Sequence, residues 1–226
     1  MSADYIKNEV ANLKKTSFNM NNRIKSSSNM DLGLNSSSNV GNGLNSSSNL
    51  RCEDGMSRLV SEVVASGEME YAVQLLYCCS QSRVVVKDEY FHSLHSLFDG
   101  CCKDVSSYQL GSLLYGLGSV GVREGGSERV SEEVRKFIAT ISDKVITVNN
   151  RRVTSVVGLS MSMYGMRNLS SEYNEVRVLV AQVNKMMKLS KGPFGARELS
   201  NCLYGLKGMS SECVEVRALV KTLAGK

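Results

Sequence analysis

The chain has 226 residues, 42% of them hydrophobic, with one proline, no tryptophan and a formal net charge of +5. That is ample chain for one or two domains with a buried core, and the absence of any uninterrupted run of about 18 apolar residues excludes a membrane-spanning helix. Its seven cysteines (Cys52, Cys78, Cys79, Cys101, Cys102, Cys202, Cys213) are odd in number and include two adjacent pairs, so they read as reduced thiols in an intracellular, reducing compartment rather than as a disulfide framework.

Residues 1–54 differ in kind from the rest of the chain. Ser26–Asn29, Ser36–Asn39 and Ser46–Asn49 repeat the same Ser-Ser-Ser-Asn block every ten residues. Such a segment carries too little apolar surface to offset the entropy of ordering, so it is expected to be a flexible tail, helical at most around Asp4–Lys15. Its basic, Ser/Asn-rich start is compatible with a targeting segment, although Asp4 and Glu9 sit early and arginines are few.

From residue 55 to 226 the composition becomes globular and repetitive. Arg58–Ala65 reads as the second helix of a degenerate leading unit, and Tyr71–Cys78 as the first helix of the next one. Leu113-Leu-Tyr-Gly-Leu117 and Ser131-Glu-Glu-Val-Arg-Lys-Phe-Ile138 form a further copy, interrupted by a seven-residue insertion near Val120–Gly126. Leu159–Val180 and Leu199–Val220 then align with each other without a gap. Tyr77, Tyr115, Tyr164 and Tyr204 therefore fall in one column, 38, 49 and 40 residues apart. A period of this length marks stacked supersecondary units.

Each unit reads as two helices. Leu199, Cys202, Leu203 and Leu206 keep the i, i+3, i+4, i+7 spacing of one helix face. Val216, Leu219, Val220 and Leu223 do the same in the second helix, matching Val176, Leu179, Val180, Val183 and Val134, Phe137, Ile138, Ile141. Ser210-Ser211-Glu212 offers an N-cap hydroxyl and a first-turn carboxylate to the second helix. Helices are expected near 57–66, 69–80, 88–100, 105–118, 129–146, 153–167, 172–188, 196–208 and 212–224. One hairpin cannot bury its own stripe, so neighbours must stack on it. The expected fold is all-α: an open right-handed α-solenoid of three to four hairpins, each of about 38–42 residues, behind a disordered N-terminal tail.

Motifs of catalytic or metal chemistry carry little weight. Gly116-x-Gly118-x-x-Gly121 matches a dinucleotide fingerprint by letters, but it follows a helical stripe instead of a strand. His92 and His95 lie near Cys101-Cys102, yet adjacent cysteines rarely chelate one ion, and His95 falls on the apolar stripe. These are the only two histidines, so the expectation is no enzyme, no cofactor and no metal. The recurrent Glu133/Arg135, Glu175/Arg177 and Glu215/Arg217 pairs are two residues apart and cannot face each other on one helix. They are expected to bridge neighbouring hairpins or to bond loop carbonyls.

Charge and aromatics point to a binding role. Residues 147–226 hold twelve basic and five acidic side chains, net +7, whereas residues 51–146 hold ten and fourteen, net −4. Tyr204 lies beside Arg197, Asn201 and Lys207 at helical spacing, and Tyr164 beside Arg167. One tyrosine per repeat flanked by cations suits single-stranded nucleic acid, where rings stack on bases and cations meet phosphates. Tyr115, Tyr164, Arg167, Arg197, Asn201, Tyr204 and Lys207 are the candidate RNA-binding residues. The alternative is that each tyrosine packs between adjacent hairpins.

Through Leu114-Tyr-Gly-Leu117, Met163-Tyr-Gly-Met166 and Leu203-Tyr-Gly-Leu206, residues 71–226 resemble the octotricopeptide group of helical-hairpin repeats, and share the architecture of tetratricopeptide proteins. The octotricopeptide resemblance implies an organellar RNA-binding solenoid in a mitochondrion or plastid, with the cytoplasm as the alternative. The proline-rich repeat boundary expected of that group is missing, since Pro193 stands alone. Tetratricopeptide, HEAT and armadillo arrays share the architecture and bind protein. The second functional class is accordingly a protein-interaction scaffold or accessory subunit of a larger assembly. The last helix, ending at Ala-Gly-Lys226, shows no distinctive polar cap, so the array is expected to be truncated or covered at that end by a partner.

Overall fold

A computed structural model of the chain describes residues 1–12, 44–82, 84, 86–101, 104–117, 130–145 and 155–226. Ten α-helices lie among them: α1 over 3–12, then α2 (Leu44–Ala65), α3 (Met69–Ser82), α4 (Asp88–Gly100), α5 (Ser107–Leu117), α6 (Glu132–Lys144), α7 (Val156–Gly165), α8 (Asn174–Leu189), α9 (Ala196–Gly205) and α10 (Val214–Leu223). A single 3-10 turn, Met166–Asn168, extends α7. Among the described residues there is no strand, only an isolated bridge between Val105 and Val145.

The helices follow the hydrophobic period, and their ends follow local chemistry. Ser131 and Ser155 cap α6 and α7, their hydroxyls accepting the Val134 and Gly158 amides at 3.4 and 3.3 Å, which satisfies amides that a helix start leaves unpaired. After α2 the chain turns at Gly67, whose φ of 67° is a left-handed conformation that glycine adopts without a Cβ penalty.

Helices pack by alternate membership. α3 lies on α5, α5 on α7 and α7 on α9, while α2 lies on α4, α4 on α6, α6 on α8 and α8 on α10. The expected stripes sit between them: Val134, Phe137, Ile138 and Ile141 on α6 and Val176, Leu179, Val180 and Val183 on α8 are all buried. Phe91, Phe98 and Phe137 meet with ring centroids 5.7 and 5.1 Å apart and tie α4 to α6. Cys78, Cys79 and Cys202 are buried as small apolar residues, and desolvation pushes the Cys79 and Cys202 thiols up to about 12.

α1 stands apart in sequence but not in space. Ile6 and Val10 are fully buried in the common core, and the Tyr5 hydroxyl donates to Glu62 on α2 at 2.9 Å. The Tyr71 hydroxyl donates to the Met1 carbonyl. Burial pushes the Cys78 thiol on α3 up, with the Gln74 hydrogen bond and the Lys7 charge acting in the opposite direction. The short N-terminal helix, expected within an unpacked flexible tail, is instead a packed cap over α2 and α3.

Three further expectations are corrected. The helix expected from 57 begins at Leu44, so α2 runs through the Ser46–Asn49 block and across residue 54, where the globular part was expected to start. Met56, Leu59, Val60 and Val63 anchor its second half in the core, and extending a formed helix adds a hydrogen bond per residue without a new nucleation cost. The blocks at 26–29 and 36–39 and the insertion near 120–126 lie outside the described residues. Ser210 does not cap α10: its hydroxyl accepts the Glu212 amide at 3.2 Å in the turn before the helix, and Cys213 holds the N-cap position without a side-chain bond. Finally, Leu203 and Val220 belong to the expected core stripes but are exposed, because among the described residues no helix packs on that side of α9 and α10.

Candidate binding surface

The site starts from a dipeptide. Tyr-Gly recurs at 115–116, 164–165 and 204–205, at or near the C-terminal ends of α5, α7 and α9. A methyl group placed on Gly116 would come within 2.9 Å of the Leu76 backbone and Cβ. On Gly165 it would overlap the Leu114 carbonyl, and on Gly205 the Met163 carbonyl. Real side chains essentially never sit so close to backbone. Each glycine thus lets its helix lie directly on the backbone of the preceding helix in the series. In α3 the same slot holds Cys78.

This close approach puts the tyrosines in contact. Ring centroids are 5.7 Å apart for Tyr77–Tyr115, 5.9 Å for Tyr115–Tyr164 and 5.5 Å for Tyr164–Tyr204, the last two stacked at 19° and 23°. Offset stacks at 4.5–7 Å are the favoured geometry of aromatic pairs. Arg167 completes the column: its guanidinium lies 4.5 Å from the Tyr164 centroid and 5.9 Å from that of Tyr115, and its Nη1 donates to the Tyr164 carbonyl at 3.1 Å. Of the seven candidate residues, Tyr115, Tyr164, Tyr204 and Arg167 are brought together in this column. Arg197, Asn201 and Lys207 share α9 and the turn after it, with Arg197 and Lys207 exposed and Asn201 half-buried.

The Glu-Val-Arg signature is also consumed internally. Arg177 Nη1 donates to the Ser171 and Glu172 carbonyls at 2.9 and 3.0 Å, and Arg217 Nη1 to Ser211 and Glu212 at 2.9 and 2.7 Å. Arg135 instead lies 3.7 Å from Glu175 on the next hairpin and 5.0 Å from the Tyr173 ring centroid. Both expected roles, loop clamp and bridge between hairpins, are present.

The hairpins are stitched at their turns as well. The Ser107 hydroxyl accepts the Ser155 amide at 2.8 Å, and the Ser171 hydroxyl accepts the Ser210 amide at 2.8 Å. These serines sit at 0% and 1% exposure. The serine contacts carry no composition signal, and only the 40-residue offset between Ser171 and Ser211 hints at them. His92 is exposed, with Nδ1 4.0 Å from Glu133. Among the described residues no cluster of three or more His, Cys, Asp or Glu is arranged to hold a metal, and no helix is long and apolar enough to cross a membrane.

No family model, curated protein or solved structure matches the chain. The functional reading therefore rests on the residues and their geometry.

Proposed function

We propose that the chain is a non-enzymatic helical-repeat binding protein, an open right-handed α-solenoid of four hairpins (α3–α4, α5–α6, α7–α8, α9–α10), and that its ligand is another protein. The supporting observation is where the repeated polar residues go. Tyrosine rings stack on one another, and Arg177 and Arg217 are spent on loop carbonyls. A base could stack only at the ends of the column, on the outer face of Tyr77 or of Tyr204, so the column is built as an internal spine and not as a ladder of open platforms. The repeat positions leave apolar side chains toward solvent at Leu203, Val214 and Val220. This is the role of a scaffold or accessory subunit of a larger assembly.

A second reading is carried by charge. Lys185, Lys188, Lys191, Arg197, Lys207 and Lys221 are exposed within the basic C-terminal third, which suits the phosphates of single-stranded RNA. With the resemblance to octotricopeptide repeats it would place the chain in organellar RNA metabolism. Only Arg197 and Lys207 of these lie on or next to a tyrosine-bearing helix, so the charge and the aromatic column are largely carried by different helices.

A titration of the intact protein against a labelled pool of single-stranded RNA at two salt concentrations decides between them. The protein-ligand reading expects no binding at low salt, or weak binding that Tyr164→Ala with Tyr204→Ala leaves unchanged. A steep salt slope that flattens in Arg167→Glu with Lys207→Glu, with a further loss on removing the tyrosines, would assign RNA as the ligand.

A further inference from the structure

The junction between hairpins is made of three contacts that recur in register and a fourth, in the turn, seen between the last two hairpins, and each can be traced to the last hairpin. The residue before each tyrosine is the floor for the next glycine: Leu76 under Gly116, Leu114 under Gly165 and Met163 under Gly205. All three floors are fully buried, whereas the fourth, Leu203, is 62% exposed. Each tyrosine is followed in the column by another ring, but Tyr204 has one only on the Tyr164 side and is 49% exposed. On the second helices, Ile138 and Val180 are fully buried by the next helix while Val220 is 44% exposed. In the turns, Ser171 accepts a backbone amide from the next hairpin, and its equivalent Ser211 is exposed.

We propose that this face of α9–α10 is a docking socket for an α-helical hairpin of a partner protein, one that carries the same junction chemistry. The inference rests on the protein-ligand reading above and specifies the surface and the partner's shape. A glycine or comparably small residue on the partner's first helix packs over the Leu203 backbone. An aromatic residue beside it stacks on the free face of Tyr204, an apolar side chain of its second helix covers Val220, and an amide of its turn donates to the Ser211 hydroxyl. The socket continues an interface the chain already builds three times, so its complement is defined by the existing junctions. A second copy of this chain does not supply that complement. Its glycines 116, 165 and 205 already face inward against the preceding helix, and its opposite end is covered by α1 through Ile6 and Val10.

The test uses the full chain with a second copy of residues 191–226 joined after Lys226. This tethered hairpin holds the right chemistry at millimolar-scale effective concentration, so the result reports on the socket and not on the affinity of an unknown ligand. Backbone amide exchange in α9 and α10 is expected to slow by about tenfold or more, since local opening governs exchange, and Tm is expected to rise. Leu203→Asp in the extended chain should erase both changes. The same substitution in the unextended chain should leave Tm unchanged, because the site is exposed there. The proposal is overturned if the tethered hairpin leaves α9 and α10 exchange as it was. It is equally overturned if the unextended protein sediments as a dimer that Leu203→Asp dissociates, which would make a second copy the occupant. The RNA titration reads nucleic-acid binding and its salt slope, whereas amide exchange reads the covering of α9 and α10 by a tethered hairpin, so failure here and failure of the protein-ligand reading are separate results.

Discussion

Replacing Gly165 by alanine probes the contact on which the stack depends. In an ordinary helix this change is favourable by up to about 1 kcal/mol, because alanine loses less backbone entropy than glycine. Here the new methyl overlaps the Leu114 carbonyl and the Tyr115 amide nitrogen, and backbone cannot rotate out of the way as a side-chain tip can. Overpacking in a tight core costs about 1–3 kcal/mol, with the upper end fitting a clash against main chain. Separation of α5 from α7 also disturbs the Tyr115–Tyr164 stack at 5.9 Å, a pair of a kind that contributes about 0.5–1.5 kcal/mol. The net expectation is a destabilisation of about 2–4 kcal/mol. Urea denaturation followed by circular dichroism measures it. Gly100→Ala is the control, since a Cβ there meets nothing within 4 Å, and it should be neutral or mildly stabilising. If Gly165→Ala proved as stable as the parent, α7 would not lie against the backbone of α5 and the glycine-floored junction would be wrong.

Other substitutions test the core and its edge. Leu179→Ala and Leu219→Ala, both at fully buried positions, should each cost about 2–5 kcal/mol through lost burial and a residual cavity; losses within the surface range would misplace the stripe. Leu203→Ala, at an exposed position of the same kind of stripe, should stay within about 0.5 kcal/mol. Thiol-reagent titration of the native protein at pH 8 should leave Cys79 and Cys202 unreacted until unfolding, because burial raises both thiols to about 12 and the thiolate is the reactive form. The linked stability effect has a definite sign. Their folded-state pKa lies above that of an unfolded thiol, so stability is fully present below about pH 9 and falls as pH rises from there toward 12; a stability profile flat over that window would contradict their burial.

Most of the helical pattern was legible in the sequence because the period of 3.6 is written in Leu, Val and Ile, and the repeat offset repeats that writing. Helix boundaries near 69, 88, 132, 174, 196 and 214 follow from it within a few residues. The start of α2 was not legible, since Ser46–Asn49 are weak helix formers and the anchor at Met56–Val63 lies downstream. The exposure of Leu203 and Val220 was hidden for a different reason. Periodicity reports which face is apolar and says nothing about whether a neighbour covers it, and an uncovered helix carries the same stripe as a covered one. The candidate site was legible by composition only. The tyrosine column and Arg167 were identified, but that glycine brings the rings into contact with each other follows from the approach of two backbones, which no single helix encodes.

The most direct test of the stacked spine is a double-mutant cycle on Tyr115 and Tyr164, each replaced by leucine, with unfolding free energy as the readout. Stacked rings predict a coupling of about 0.5–1.5 kcal/mol between the two sites. Tyr77 and Tyr164, which are separated by Tyr115 in the column, should add independently to within about 0.3–0.5 kcal/mol. Zero coupling between Tyr115 and Tyr164 would contradict the spine and return the tyrosines to solvent as platforms for a ligand.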